Sequence, residues 1–299
     1  MPVPVGSLAP SEILRLAPAR IDELLDRLER EVPVRPPIVE LGEGTADEAV
    51  VFGDTHGDWR STLEVVRRFR DGDRWLIGLG DYIDRAPEDC GAGSVANALY
   101  LLQLAAELPD RVYLVQGNHE AVRRIPVHPH DLPKEVATHW GPGLVRYDRI
   151  IGLLERGPFA IATAAGAYLA HAGFPRGDLP SPWTEAFQGM DASRLAEIVW
   201  AECDASRLRR GAARPWGAAD LDRFLAVTHG SIVLRGHDPD LAGRIVCDGR
   251  CLTLNTTRVY ERYGGVLVAR LPLRRTVRSV ADLVVEHLPT EGATFPTPS

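Results

Sequence analysis

Residues 49–115 alternate short apolar runs with segments in which apolar residues recur every three or four positions. Each run ends at or just before a glycine and is rich in β-branched, aromatic or leucine residues, which is typical of a buried strand. The predicted strands are 49–52, 75–79 and 112–115. The segment after Gly57 has helical spacing, and so has 94–108, for which Ser94 is the expected N-cap. This order predicts a β-α-β-α-β unit with a parallel sheet.

An amphipathic helix is predicted near the amino terminus, from residue 11 to residue 30. Its apolar residues recur with helical spacing between charged residues, at Ile21, Leu24, Leu25 and Leu28. Because proline disrupts the interior of a helix, we expect an interruption before Pro18. The apolar side of this helix should pack on the rest of the protein.

The pattern is less regular after residue 120. Residues 125–139 contain three prolines and three histidines without a clear period, so we expect a long loop there. The elements predicted after it are a helix at 144–154, a hairpin about Gly166, helices at 192–201 and 218–227, and a β-meander at 232–271 that forms a second sheet. The chain contains no repeat or low-complexity segment, and we expect one domain over 1–299 with the helix 11–30 packed on it.

Composition and charge narrow the range of partners. The chain is 45% hydrophobic and 25% charged, as ordinary globular proteins are. Its net charge of -7 argues against nucleic-acid binding, because that affinity depends on neutralising phosphates with Lys and Arg. We expect no membrane partner and a cytoplasmic location, since no secretory signal or spanning segment is evident. Cys247 and Cys251 flank a hairpin-like turn, and free thiols are favoured over a pair.

Polar residues follow the apolar runs directly. They are Asp54 and His56 after the first run, Asp81 after the second and Asn118 after the third. Two later apolar runs end near His171 and His237. The carboxyl ends of parallel strands lie at one edge of a sheet, so these side chains should converge. A single strand-end aspartate could simply cap a helix, but the whole set suits divalent cations and indicates a two-metal centre.

Three sequence blocks resemble the signature of a known family. Residues 53–57 read G-D-T-H-G, residues 80–85 read G-D-Y-I-D-R, and residues 117–120 read G-N-H-E. They resemble the blocks of the calcineurin-like metallophosphoesterases, in particular of the serine/threonine phosphoprotein phosphatase branch. The resemblance runs from about residue 50 to residue 260 and includes later segments at 170–173, 210–217 and 234–237. It implies an α/β fold, a four-layer sandwich of two packed mixed β-sheets flanked by helices, with a catalytic core at about 48–272.

The same resemblance implies two divalent metal ions held by six side chains. One ion would be bound by Asp54, His56 and Asp81, and the other by Asp81, Asn118, His171 and His237. Manganese is the first choice of metal, and iron and zinc also suit these donors. Two such ions would hold the phosphoryl oxygens and activate a water for in-line attack.

Four more residues would act on the substrate. By the resemblance, His119 would protonate the leaving oxygen, and Asp84 would orient the imidazole of His119. Arg85 and Arg210 would bind the phosphate, because a planar guanidinium suits bidentate contact. The alternatives to Arg210 in the same stretch are Arg207, Arg209 and Arg214.

Departures from the family pattern concern the surroundings of the metals rather than the metals themselves. Ala86 stands where the family has glycine, which disfavours a positive φ there, and the loop 87–93 is longer than usual. Gln116 replaces an arginine that is common before the third block, and Arg123, Arg124 and the loop 125–139 replace a substrate-groove element that normally follows Glu120. The histidines of that segment, His128, His130 and His139, are expected to lie on the surface.

The leading hypothesis is a metal-dependent phosphomonoesterase that acts on phosphoserine or phosphothreonine in proteins or peptides. A symmetrical dinucleoside tetraphosphatase is the first alternative, although that branch typically has aspartate at the position of Glu120 and lacks the aspartate at Asp84. Both residues therefore favour the protein phosphatase. A small-molecule phosphatase and a catalytically silent phospho-binding scaffold are further alternatives.

Overall fold

The computed structural model describes residues 8–42, 46–208 and 210–289 of the 299-residue chain. Within these ranges the α-helices are α1 Pro10–Ile13, α2 Pro18–Glu31, α3 Trp59–Phe69, α4 Gly93–Glu107, α5 Leu132–Trp140, α6 Val145–Leu154, α7 Ala192–Val199 and α8 Ala218–Thr228. The strands are β1 Ile38–Leu41, β2 Glu48–Phe52, β3 Arg74–Gly78, β4 Val112–Leu114, β5 Ala160–Thr163, β6 Ala167–Ala170, β7 Ile232–Arg235, β8 Ile245–Val246, β9 Cys251–Thr253, β10 Leu267–Pro272 and β11 Val284–His287. Among the helices of these ranges, none combines the length and apolar character that a bilayer crossing requires.

The described strands form two mixed sheets. The first has the order β11-β10-β2-β3-β4, in which β2, β3 and β4 are parallel and β10 runs antiparallel to β2 and β11. The second has the order β1-β5-β6-β7-β9-β8, in which β6, β7 and β9 are parallel and β5 pairs antiparallel with β6. The β-α-β-α-β unit predicted from the sequence is confirmed as β2-α3-β3-α4-β4, and so is the hairpin about Gly166.

The two sheets pack face to face over a shared core. Val51 and Ile77 of the first sheet lie in one buried cluster with Leu169 and Leu234 of the second. Successive side chains of a strand point to opposite faces, so Val50 packs instead with residues of α2, α4 and α6. Residues of α7 and α8 pack on the outer face of the second sheet. The layers are therefore helices, sheet, sheet and helices, as the resemblance implies.

The amino-terminal helix is broken where the sequence places a proline. Helix α1 ends at Ile13, and α2 begins at Pro18 after Ala17 in an extended conformation. Proline suits this first helical position because the backbone N–H that it lacks would have no partner in the helix. The fully buried residues of α2 are the four with helical spacing, Ile21, Leu24, Leu25 and Leu28.

The expectation of a loop throughout 125–139 is wrong, because its second half is helix α5. The buried residues of α5 are Leu132, Val136 and Trp140, which are spaced four apart. Pro133 lies in the first turn, where proline costs no helical hydrogen bond. The prolines therefore made this segment resemble a loop, although its apolar residues have the spacing of a short amphipathic helix.

The expectation that Ser94 is the N-cap of helix α4 is also wrong. Helix α4 begins at Gly93 with Ala92 as its N-cap, so Ser94 lies inside the helix. The Ser94 hydroxyl accepts a hydrogen bond from the backbone N–H of Asp84 (2.9 Å) and donates one to Glu135 (2.7 Å). Ser94 therefore links three segments instead of capping one.

The last third of the chain is not a simple meander. Strands β7 and β9 are parallel neighbours in the second sheet, whereas β10 crosses to the first sheet and lies between β2 and β11. Alternating apolar runs predict strands but do not tell which sheet each strand joins. Cys247 and Cys251, which flank the β8–β9 turn, are free thiols, as expected.

Candidate metal centre and its surroundings

Six donor side chains converge where strands of both sheets end. They are Asp54 and His56 after β2, Asp81 after β3, Asn118 after β4, His171 after β6 and His237 after β7. Each is at most 3% exposed. Because β2, β3 and β4 are parallel, and so are β6 and β7, their carboxyl ends reach the same region. The structure thus brings the predicted residues together, and their role as metal ligands stays a prediction.

Asp81 lies between two groups of donors. Its Oδ1 atom is 3.4 Å from Nε2 of His171, and its Oδ2 atom is 3.7 Å from Nε2 of His56. On the first side, His171 Nε2 is 2.9 Å from Oδ1 of Asn118 and 3.1 Å from Nδ1 of His237. On the second side, Oδ2 of Asp54 is 3.9 Å from His56 Nε2. The two oxygens of one carboxylate therefore face different donor groups.

The histidine tautomers fit a cation site. Nδ1 of His56 donates to the backbone carbonyl of Ile83 (3.0 Å), and Nδ1 of His171 donates to that of Leu79 (2.9 Å), because a carbonyl can only accept. In the neutral rings, each Nε2 then presents a lone pair to the cluster. Lone pairs of imidazoles, carboxylates and the Asn118 amide thus face one another in a buried space, where a divalent cation would satisfy them together.

Burial controls the protonation of these donors. Burial, to which the charge of Asp81 adds, raises the pKa of Asp54 to about 6. Burial lowers the pKa of His56 to about 3, so this ring is neutral and can act as a ligand at physiological pH. Against the effect of burial, the charge of Asp81 raises the pKa of His171 to about 9, so this ring supplies positive charge to the buried carboxylate pair, as a bound cation would. The electrostatics therefore also favour a cation.

The close approach of the site loops depends on glycine and on strained backbone. A Cβ atom on Gly117 would lie 2.3 Å from Oδ1 of Asp81. Five site residues have a positive φ, which is uncommon outside glycine: His56, Asp81, Asp84, Arg85 and His237. Such strain concentrates at functional sites. Ala86 is not among these residues, so the glycine of the family pattern is not needed for a positive φ at this position.

The side chain of Glu120 links the loop after β3 to the loop after β4 by hydrogen bonds. Its Oε2 accepts hydrogen bonds from the backbone N–H groups of Asp81 and Gly117, and its Oε1 accepts one from Tyr82, each at 2.8 Å. Burial, with the charge of Asp81, raises the pKa of Glu120 to about 7. Sequence reasoning used Glu120 only to separate family branches and missed this structural role.

His119 pairs with Asp84 beside the donor cluster. Nδ1 of His119 is 2.5 Å from Oδ2 of Asp84, both residues are fully buried, and Nε2 of His119 has no hydrogen-bond partner among the described residues. Nε2 is 3.9 Å from Oδ2 of Asp81. The imidazole is therefore held at one nitrogen and is unpartnered within the protein at the nitrogen that faces the cluster.

The expected surface position of the histidines in 125–139 is wrong for one of them. His128 and His139 are exposed, but the side chain of His130 is only 14% exposed, and its Nδ1 is 2.9 Å from Oδ2 of Asp84. No local pattern signals this contact, because it joins residues 46 positions apart.

The guanidinium of Arg85 lies beside the donor cluster and is hydrogen-bonded to Tyr260. The sequence analysis did not single out Tyr260. A guanidinium nitrogen of Arg85 is 2.8 Å from the Tyr260 hydroxyl and 3.5 Å from Nε2 of His56. The Tyr260 ring stands edge-on to His56, with centroids 5.5 Å apart. No local sequence pattern marks Tyr260 as a site residue, because its contact with Arg85 joins residues 175 positions apart.

Arg210 lies on the opposite side, next to His237. Its guanidinium donates to the carbonyl oxygen of His237 (3.1 Å) and to Asp238 (2.8 Å), and its Nε donates to Glu202 (3.2 Å). Of its three alternatives, Arg214 is exposed and pairs with Asp220, Arg207 is exposed, and Arg209 lies outside the described residues. Among the described arginines of this stretch, Arg210 has the contact with a candidate ligand.

Comparison with known proteins agrees with this geometry. The family model described as calcineurin-like phosphoesterase matches residues 49–241, which contain all six donors. The chain belongs to the calcineurin-like phosphoesterase family. The match covers the candidate metal centre, His119, Asp84, Arg85 and Arg210, and ends before Tyr260.

Curated relatives within this family are named as serine/threonine phosphatases. A probable serine/threonine-protein phosphatase of Encephalitozoon cuniculi is 25% identical over 228 residues, which are 73% of this chain and 48% of the relative. The PP2A-like serine/threonine-protein phosphatase PPG1 of Candida albicans is 26% identical over 254 residues, 80% of this chain and 58% of the relative. The chain thus spans about half the length of these curated relatives.

Solved structures share the fold. A Saccharomyces cerevisiae protein serine/threonine phosphatase superposes with a TM-score of 0.70 at 21% identity, covering 97% of this chain and 92% of that one. A cold-active protein-tyrosine phosphatase from a psychrophilic Shewanella species gives a TM-score of 0.57 at 18% identity, covering 87% and 84%. At these identities the likeness concerns the fold alone.

Proposed function

We propose that this protein is a metal-dependent phosphomonoesterase that removes phosphate from phosphoserine or phosphothreonine in proteins. The observation that carries the proposal is the position of Asp81, which presents one carboxylate oxygen to each of two buried donor groups. The His119–Asp84 pair and Arg85 lie beside it. Together these groups supply what phosphoryl transfer needs, namely charge compensation, a proton donor and phosphate contacts.

Two divalent ions fit the donor set. Asp54, His56 and Asp81 would hold one ion. The other ion would be held by four residues, Asp81, Asn118, His171 and His237. When bound, the ions supply Lewis-acid charge to the phosphoryl oxygens and lower the pKa of an attacking water. Manganese, iron or zinc suits this mixture of carboxylate, amide and imidazole. All of these residues lie within 48–272, which we propose as the catalytic core of a single domain.

The protein's own side chains handle the proton and the phosphate. His119 would donate the proton on Nε2 to the leaving oxygen, while Asp84 accepts the hydrogen bond from Nδ1 and stabilises the charged ring. Arg85, held by Tyr260, would contact the phosphate from one side. Arg210 would contact the phosphate from the side of His237. This requires its guanidinium to bind the phosphate in addition to, or in place of, its hydrogen bond to Asp238.

The choice of substrate class rests on the relatives and on two residues. The curated relatives are named as serine/threonine phosphatases, and this chain has both Glu120 and Asp84, which distinguish that branch from the dinucleoside tetraphosphatases. The net charge of -7 also gives no support for a polyanionic substrate. A phosphorylated protein or peptide is the partner that we propose.

The proposal is tested by ranking substrates under one metal condition. We expect a higher kcat/KM on phosphoserine or phosphothreonine peptides than on diadenosine tetraphosphate or a cyclic nucleotide. The variant His119→Asn should lower kcat on the peptides by roughly 10²-fold or more, because general acid catalysis is worth that much. A reversed ranking would favour the tetraphosphatase, and activity on none of the three would reject the proposal.

A further inference from the structure

The carboxylate of Asp84 accepts four hydrogen bonds, and three of them come from a single short segment. Besides His119 Nδ1 at 2.5 Å, Oδ2 contacts His130 Nδ1 at 2.9 Å. Oδ1 accepts from the backbone N–H groups of Asp131 at 2.6 Å and Leu132 at 3.0 Å. Because a carboxylate can only accept, both imidazoles direct an Nδ1–H at the same oxygen. The segment 130–132 therefore determines how Asp84 is oriented.

The imidazole of His130 makes a second hydrogen bond at the ring nitrogen that does not contact Asp84. Its Nε2 is 3.0 Å from the hydroxyl of Tyr147 on helix α6, and the two rings meet edge-on with centroids 5.5 Å apart. With the proton of the neutral ring on Nδ1, Nε2 accepts from the Tyr147 hydroxyl. A continuous series of hydrogen bonds thus runs from Tyr147 through His130 and Asp84 to His119.

This arrangement bears on proton transfer. The Nε2 atom of His119 can deliver a proton only if the ring plane is held at the right angle, and the sole hydrogen bond of that ring within the described residues is to Asp84 Oδ2. Removing His130 would leave that oxygen with one donor and an empty space at its side, into which the carboxylate can turn or water can enter. A small misplacement of a proton donor costs rate in the steps that need the proton.

We propose that His130 is a positioning residue that orients His119 through Asp84 for protonation of the leaving group. The inference rests on the proposed phosphomonoesterase function and adds to it a residue from the segment where this chain departs from the family pattern. The hydrogen bonds and the ring contact that the structure gives His130 involve Asp84 and Tyr147, which are not candidate metal ligands. The effect of His130 should therefore depend on how much the leaving group needs a proton.

The test compares two phosphate monoesters in steady-state assays under one metal condition. Phenyl phosphate has a poor leaving group that requires protonation, and 2,4-dinitrophenyl phosphate has a good one that does not. We expect His130→Leu to lower kcat on phenyl phosphate by about tenfold or more and to change kcat on the dinitrophenyl ester much less. KM and metal content should stay as in the wild type.

Two further variants sharpen the test. His130→Asn places an amide N–H near the position of Nδ1, so it should recover much of the activity on phenyl phosphate. His139→Leu, which alters an exposed histidine of the neighbouring helix α5, is the matched control and should leave both rates unchanged. Melting temperatures and metal contents of all variants show whether each protein is folded and loaded.

The outcomes separate this inference from the proposed function. A wild-type protein that hydrolyses both esters, with His130→Leu slowing both equally or neither, overturns the positioning role alone. An Asn variant as slow on phenyl phosphate as the Leu variant overturns it as well. A wild-type protein that hydrolyses neither ester overturns the phosphomonoesterase proposal, and the inference with it.

Discussion

Asp81 presents one oxygen to each half of the candidate metal centre, so its replacement should disturb both halves. The amide of Asp81→Asn keeps the shape but loses the negative charge and one of the two oxygen ligands. We expect about two divalent ions per wild-type chain and less than about one in the variant, with activity lost in parallel. Elemental analysis of the purified proteins measures both values.

His119→Asn is the informative control for that measurement. Nε2 of His119 is 3.9 Å from Asp81 Oδ2, so His119, Asp81 and His56 form a group compact enough to hold an ion. If His119 acts on the leaving group instead, the variant keeps its ions. Loss of metal in His119→Asn would make His119 a ligand, and one ion or none in active wild-type enzyme would contradict the two-metal assignment.

The site residues that the sequence predicted differ from those that it missed in how far apart in the sequence the contacting residues lie. Asp54, Asp81 and Asn118 lie two, three and four residues after the ends of their strands, so local pattern and parallel topology were sufficient to predict that they meet. His130 and Tyr260 contact partners that are 46 and 175 positions away in the sequence. Such contacts depend on how loops return to the site, which no local period encodes.

At the scale of elements, helix α5 docks on the start of α4 through one largely buried carboxylate. Oε1 of Glu135 accepts from the Ser94 hydroxyl at 2.7 Å, and Oε2 accepts from the backbone N–H of Val95 at 3.1 Å. Burial, with smaller effects from Asp84 and Asp131, raises the pKa of Glu135 from its ordinary value of 4.5 to about 7. The free energy of unfolding should therefore depend on the protonation of Glu135.

This shift predicts the pH dependence of Glu135→Gln. The folded protein retains the Glu135 proton up to about pH 7 and the unfolded chain only to about 4.5, so this group makes stability fall as pH rises between those values. Gln cannot ionise. Relative to the wild type, the variant should gain roughly 2 kcal/mol of unfolding free energy between pH 5 and pH 8, measured by chemical denaturation. A difference between the two proteins that is constant over this range would contradict the prediction.

Helices and strands were predictable from the sequence where the periodic apolar segment was long or the apolar run ended near a glycine. Strands β2, β3 and β4 and helices α2, α3 and α4 follow their predicted positions closely. The strands are almost wholly buried and form continuous apolar runs, whereas α2 and α3 bury one face and show its regular spacing. Helix α5 was missed because prolines near its start resemble those of a loop. The sheet that β10 joins was missed because antiparallel pairing with the distant β2 is a property of the whole fold.

At the scale of the whole molecule, the candidate metal centre lies where the two sheets meet. Asp54, Asp81 and Asn118 follow strands of the first sheet, whereas His171 and His237 follow strands of the second. Candidate donor atoms from both sheets approach within about 3 Å, for example Asn118 Oδ1 and His237 Nδ1 at 3.0 Å. A cation bound there would hold the sheets together, and it would offset the cost of bringing these donors close to one another.

Metal binding should therefore stabilise the entire fold. An ion at 100 times its dissociation constant adds about 2.7 kcal/mol, which for a chain of this size raises Tm by about 5 °C. We expect a rise of at least this size when a chelator is replaced by excess Mn²⁺ in thermal unfolding. His119→Asn should keep the rise and Asp81→Asn should lose most of it. An equal rise in Asp81→Asn would mean that the stabilising ion binds elsewhere, because a cation at the junction of the two sheets cannot avoid the carboxylate that faces both of its halves.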